Sequence, residues 1–189
     1  MVRVELSSNP LTELDSLLVE MRMMKEPPIL VGGSVRSHFD LLGFHDYDWL
    51  CLSKNSFLET LEFFRSTHFE LMSSTCRCYS FFCSWEAFDK PGERSEPPHQ
   101  IHVIEGVNSI ESFLAYSDFT VSSVCMDIGK KVNAHQFFER DVKERQLNLV
   151  NGVRPLHNFD GRIQKYMNLG YKPSVELLSK ASHVLKRGR

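Results

Sequence analysis

Residues 29–52 read ILVGGSVRSHFDLLGFHDYDWLCL. A short apolar run, Ile29 to Val31, enters a double glycine; Val35 to Leu42 has helical spacing and stops at Gly43; Tyr47 to Leu52 has the composition of a strand. Gly32 and Gly33 let the backbone turn tightly and approach an anion with no Cβ in the way, and Ser34 adds a hydroxyl at the start of the helix. Asp46 and Asp48 lie two apart in a strand and so point to one face, where two carboxylates can share a hard divalent cation. Gly-Gly also makes plain turns, and Asp-x-Asp also ends solvated strands. Their combination in one strand–turn–helix–strand unit is what predicts a phosphate cradle beside a metal site.

Outward from this unit the pattern alternates. Leu11 to Met24 carries a helical stripe ended by Pro27 and Pro28, and Ser56 to Ser66 is an amphipathic helix. From Phe69 the chain becomes β-branched, aromatic and cysteine-rich. Strands are expected at Phe69 to Ser73 and Cys78 to Phe88, a loop over 89–98 (DKPGERSEPP), and a returning strand at Gln100 to Glu105. A short helical turn at Ile110 to Phe113 precedes a hairpin around Gly129 and Lys130. A strand at Leu147 to Val150 follows, then a helix from Asp160 to about Leu169 with Gly170 as its C-cap, and a last helix from Val175. The expected architecture is α/β (α+β): a mixed sheet flanked by helices, with a unit over 1–159 and a short helical extension, residues 160–189, ending in a basic tail.

The 189 residues are 42% hydrophobic and 24% charged, with a net charge of −2, so a polyanion partner must be met by a local patch. Lys180, Lys186, Arg187 and Arg189, with Arg162, Lys165 and Lys172 upstream, form such a patch or a solvated helix end. No run has the length of a membrane span and the N-terminus is acidic, so no membrane partner and a cytoplasmic location are expected. Five cysteines, an odd count, fit reduced buried thiols. Zinc at Cys76 and Cys78, with Cys83, His68, His99 and His102 nearby, matches no standard ligand spacing.

Four segments together carry a resemblance. Gly32-Gly33-Ser34-Val35-Arg36 followed by Asp46-Tyr47-Asp48, Ser117-Asp118-Phe119-Thr120-Val121-Ser122-Ser123, Asp141-Val142-Lys143-Glu144-Arg145, and Asp160-Gly161-Arg162-Ile163-Gln164-Lys165 follow in order from about Ile29 to Tyr171. In this order they resemble the head domain of the class II tRNA nucleotidyltransferase and poly(A) polymerase family. The resemblance implies the polymerase-beta-like nucleotidyltransferase fold and Mg²⁺-dependent (or Mn²⁺-dependent) transfer of NMP from an NTP such as ATP. The acceptor would be an RNA 3′ end, tRNA included, or a protein or small-molecule hydroxyl. Asp46 and Asp48 would then hold metal and act catalytically; Gly32, Gly33 and Ser34 would hold phosphates; Arg36, Asp118, Arg162 and Lys165 would contact nucleotide.

The family pattern is incomplete in this chain. The acid after its Val-Arg pair is Ser37; the two arginines before Asp-Phe-Thr are Tyr116 and Ser117; and the third acid is replaced by His102, with Glu105 an offset candidate. His102 is then either a structural histidine or a third metal contact. No counterpart of the neck, body and tail follows, nor of the Glu-Asp-x-x-Arg helix, so templated CCA addition by this chain alone is not expected. A homodimer or partner subunit would supply the RNA-binding surface. The alternative function is a catalytically impaired relative that binds nucleotide, RNA or protein.

Overall fold

The computed structural model describes residues 1–4, 15–42, 46–67, 70–74, 78–83, 99–106, 108–150, 158–179 and 181. The elements run β1 (Val2–Val4), α1 (Asp15–Met21), β2 (Ile29–Val31), α2 (Gly33–Asp40), β3 (Asp46–Cys51), α3 (Lys54–Ser66), β4 (Glu70–Ser74), β5 (Cys78–Cys83), β6 (His99–Glu105) and α4 (Ile110–Tyr116). A 3₁₀ turn (Thr120–Ser122), β7 (Val124–Met126), β8 (Val132–Ala134), α5 (Phe138–Lys143), β9 (Gln146–Leu147), α6 (Phe159–Asn168) and β10 (Lys172–Pro173) follow. Residues 175–179 are again helical.

Eight strands form one sheet in the order β1-β8-β7-β2-β3-β6-β5-β4. Its pairs are antiparallel except β3 with β6, where α3 supplies a crossover. The sheet is therefore mixed, as the sequence predicts. β9 and β10 make a separate parallel pair.

Strand alternation divides the central strands between two faces. Tyr47, Trp49 and Cys51 enter the main core with Leu30, Ile101, Val103 and Phe81, against α3 residues Phe57, Leu61 and Phe64. Each of the large rings stabilises by about 2–3 kcal/mol relative to an exposed position. The opposite face carries Asp46, Asp48 and Leu50. There Leu50 joins Ile29, Val31 and Cys125 under Ile110 and Phe113 of α4. The helix covers the apolar end of that face, and Asp46 and Asp48 at the other end remain half-buried.

Local chemistry sets the helix ends. Ser53 caps α3 by accepting the Ser56 N–H at 3.0 Å, and Ser109 caps α4 in the same way. α2 stops earlier than its apolar spacing predicts. Leu41 takes the left-handed conformation (φ 55°), and the Asp40 carboxylate accepts the Leu42 N–H at 3.0 Å. Gly43, the expected stop, lies outside the described residues, as do residues 11–14 of the expected first helix, the loop over 89–98, Cys76, His68 and the C-terminal Lys180, Lys186, Arg187 and Arg189. Gly170 (φ 86°) does end α6, with the Tyr171 N–H returning to the Tyr166 carbonyl.

Gly106, just beyond β6, donates its N–H to the Cys51 carbonyl at 3.0 Å. A Cβ there would stand 2.1 Å from Leu50 Cδ1 and 2.7 Å from its Cγ. Gly106→Ala is therefore expected to cost about 1–3 kcal/mol by overpacking, read as a lower urea midpoint with an unchanged slope. An unchanged midpoint would show that Leu50 can move aside freely.

Candidate active site

The glycine turn stands directly against the strand that bears the aspartates. Gly32 has φ 72° and ψ −128°, a conformation that glycine adopts without strain, and a Cβ built on it would lie 3.8 Å from Asp48 Oδ2. β2 and β3 are in register with Val31 opposite Asp48, so the turn leaves β2 beside that carboxylate. The Gly32 N–H is taken by the Val124 carbonyl at 3.0 Å. Arg36 N–H is the first to close a helical bond, to Gly32 O. Among the described residues, the open amides at the start of α2 are thus those of Gly33, Ser34 and Val35.

Two side chains of this turn bond within the protein. Ser34 is fully buried and its hydroxyl donates to the Val31 carbonyl at 3.3 Å, so it braces the turn from inside and leaves its backbone amide as the open polar group. Arg36 is 3% exposed. Its Nε donates to Asp40 Oδ2 at 2.9 Å, one helical turn on, and its guanidinium lies over the Tyr166 ring at 5.3 Å. Nη1 reaches back to the turn, 3.9 Å from where a Gly33 Cβ would be. The acid that Arg36 pairs with is thus Asp40 of its own helix.

Asp46 and Asp48 share the open face of β3. Burial raises the Asp48 pKa above the ordinary carboxylate range; His102, Lys165 and Arg162 oppose the shift, and the Asp46 charge adds to it. Two half-buried carboxylates on one strand face, with the Asp46 charge disfavouring ionisation of Asp48, are a donor set suited to a hard divalent cation. Asp46 and Asp48 would be its ligands. Among the described residues no cluster of three or more His, Cys, Asp or Glu is arranged to hold a metal.

The two candidates for a third position separate cleanly. His102 is the register partner of Asp48 on β6, and its Nδ1 shares a 2.8 Å hydrogen bond with Ser80 Oγ on β5. Glu105 stands opposite Cys51 and pairs with Lys54 at 3.5 Å. Three residues along a strand reverse the face, so Glu105 lies on the other side of the sheet from the aspartates and does not complete their site.

Asp118 and Arg162 meet at 2.5 Å. Burial raises the Asp118 pKa, against the pull of the guanidinium. Asp118 does not cap the 3₁₀ turn, which begins after Phe119 with no side-chain cap. Lys165, exposed and one turn beyond Arg162 on α6, acts on the Asp48 charge. α6 is held to the body by Phe159 stacked on Phe119 at 6.1 Å and by Tyr166 edge-on to the same ring at 5.2 Å. Asp46, Asp48, the glycine turn, Arg162 and Lys165 thus converge, while Tyr116 is 57% exposed and Ser117 donates to the Phe113 carbonyl.

Residues that the sequence reading did not single out complete the surroundings. Asp40 and Tyr171 bond to each other at 2.8 Å beneath α2, and Ser80 orients His102. Only the Arg36–Asp40 spacing of four, on one helix face, was a readable signal.

No family model matches the chain, and no curated protein matches it in sequence. Solved structures do match. A Thermotoga maritima CCA-adding enzyme complexed with tRNA superposes over 100% of this chain and 47% of its own, at 16% identity and a TM-score of 0.69. A CCA-adding enzyme in complex with ATP covers 99% and 46%, at 18% identity and a TM-score of 0.67. The Bacillus stearothermophilus CCA-adding enzyme in complex with CTP covers 90% and 42%, at 14% identity and a TM-score of 0.62. The chain spans about half the length of these proteins. Its fold is the nucleotidyltransferase fold that the sequence predicts. No described helix is long and apolar enough to cross a membrane.

Proposed function

We propose that this chain, which has the fold of CCA-adding enzymes, is a divalent-metal-dependent nucleotidyltransferase that moves NMP from an NTP to a hydroxyl. The observation that carries this reading is the placement of Asp48 Oδ2 against the Gly32 turn, 3.8 Å from the position a Cβ would fill. A metal ligand and an open helix start then face the same small volume.

Nucleotidyl transfer is an in-line displacement at an α-phosphate, helped mainly by positioning and charge neutralisation. Asp46 and Asp48 would hold Mg²⁺ or Mn²⁺, which neutralises phosphate charge and activates the attacking hydroxyl. The amides of Gly33, Ser34 and Val35 would donate to the leaving pyrophosphate, with the α2 dipole behind them. Arg36 would present its outer nitrogens beside that turn. Lys165 supplies a cation on the facing wall, and Arg162 orients Asp118 toward ribose or base. His102, fixed by Ser80, borders Asp48 as a positioned donor or acceptor. Residues 160–189 act in this reading as an extension of the 1–159 head. By analogy with the tRNA complex of the Thermotoga protein, the acceptor is an RNA 3′ end. A second subunit or a second copy of this chain would contribute RNA-binding surface.

The alternative is a binding module with impaired catalysis. The exposed Tyr116 and the internally bonded Ser117, standing where two arginines are expected, favour it. Incubation with each labelled NTP, Mg²⁺ or Mn²⁺, and total RNA or protein extract separates the two. Label transfer is expected with the wild type and lost in Asp46→Ala/Asp48→Ala. Transfer that persists in the double variant would remove these aspartates from the mechanism. Nucleotide binding without transfer would establish the binding module.

A further inference from the structure

Asp40 closes α2 with a side chain that solvent does not reach. A buried carboxylate is costly unless its charge is satisfied, and this one gathers donors from three stretches of chain. Oδ2 accepts Arg36 Nε at 2.9 Å and the Tyr171 hydroxyl at 2.8 Å, with Arg145 Nη1 at 3.6 Å. Oδ1 accepts the Leu42 N–H, and Arg145 Nη2 donates to the Asp40 backbone carbonyl at 2.9 Å. Stacking reinforces the polar bonds. Arg36 lies over the Tyr166 ring, Arg145 over the Tyr171 ring at 5.5 Å, and the two tyrosines meet edge to face at 5.8 Å. Burial and the bond to Asp40 push the Tyr171 hydroxyl well above its ordinary range, so it stays a donor.

The parts joined here are the two walls of the candidate site. α2 carries the glycine turn at its start, with Arg36 reaching back under Gly33. α6, which ends at the Tyr166–Tyr171 pair, carries Arg162 and Lys165 toward Asp48. Ser37, where the resembled family has an acid, spends its hydroxyl on the Ser34 carbonyl at 2.6 Å, and the carboxylate that holds Arg36 comes from one turn further along.

We propose that Asp40 is a positioning residue, with Tyr171 as its partner: the pair fixes the phosphate turn of α2 against the cationic face of α6 and sets nucleotide affinity without touching nucleotide. The identity of the ligand rests on the nucleotidyltransferase reading. The mechanical link between α2 and α6 does not. Preorganising two walls that sit on separate elements removes an ordering cost that the ligand would otherwise bear.

Tyr171→Phe removes one hydroxyl and keeps the ring contacts; Asp40→Asn keeps the shape and removes the charge. Amide hydrogen exchange without nucleotide is expected to quicken in Tyr171→Phe over both 33–40 and 159–168. Calorimetric titration with CTP and ATP in Mg²⁺ is expected to show an affinity about tenfold weaker in each variant, the effect of one charge-assisted hydrogen bond. Mn²⁺ affinity, which Asp46 and Asp48 set, is expected to stay at the wild-type value. Exchange altered only next to residue 171, or nucleotide affinity equal to wild type, would overturn the proposal. If the wild type binds neither CTP nor ATP, the nucleotidyltransferase reading falls, and the exchange comparison alone still decides the link.

Discussion

Asp48→Asn is expected to melt at a higher temperature than the wild type in metal-free buffer at neutral pH, and to lose nucleotidyl transfer by a factor on the order of a thousand. Both effects come from one carboxylate. In the fold its pKa is raised, first by burial and then by Asp46, against His102, Lys165 and Arg162. The folded state therefore binds the Asp48 proton more tightly than the unfolded chain does. The resulting stability is complete below the ordinary unfolded carboxylate range and is lost as pH rises through the raised folded value. At neutral pH the ionised Asp48 is a net cost, which asparagine removes. A pH series of melting curves in chelator should show the wild type losing stability across this window more steeply than the variant. Added Mg²⁺ or Mn²⁺ should raise the melting temperature of the wild type and leave that of Asp48→Asn nearly unchanged. A variant that melts lower than wild type at neutral pH, with the same pH slope, would mean that Asp48 is satisfied by protein groups and does not await a cation.

Asp141→Ala carries the largest expected loss of stability. Asp141 is fully buried and accepts from Thr120 Oγ1 at 2.6 Å, Asn148 Nδ2 at 3.0 Å and Arg140 Nε at 2.8 Å. These bonds tie α5 to the 3₁₀ turn and to the segment after β9, where Phe119 pairs with Leu149. Alanine leaves a buried threonine hydroxyl and an asparagine amide without their acceptor, beside a half-exposed arginine. The expected cost is about 3–5 kcal/mol in urea denaturation. Asp141→Asn keeps one acceptor oxygen and is expected to cost about 1–2 kcal/mol. Equal losses for the two variants would show that charge, and not hydrogen bonding, is what Asp141 contributes.

The elements most legible in the sequence are those with a strong local cause. Asp46–Cys51 is a strand because its apolar residues alternate and then run together, and Lys54–Ser66 is a helix because Phe57, Leu61 and Phe64 recur at helical spacing above a serine cap. β1 and α5 were not legible. Three residues at a sheet edge and six residues of mixed charge make no periodic pattern, and each is held by partners distant in sequence, β8 and the Thr120–Asp141 bond respectively. Glu105 shows a reading that parity alone could have corrected, since it is an odd number of residues from His102.

The sequence by itself determined the composition of the candidate site: a double glycine before a helix and two aspartates on one strand face, because both follow from backbone geometry within a few residues. Tertiary structure decided where the other charges go. Arg36 turns to Asp40, Arg162 to Asp118 and Arg145 to Asp40, while Lys165 faces Asp48. A long cation reaches several acids equally well along a sequence, and only packing, by burying some carboxylates and leaving others half-open, selects its partner.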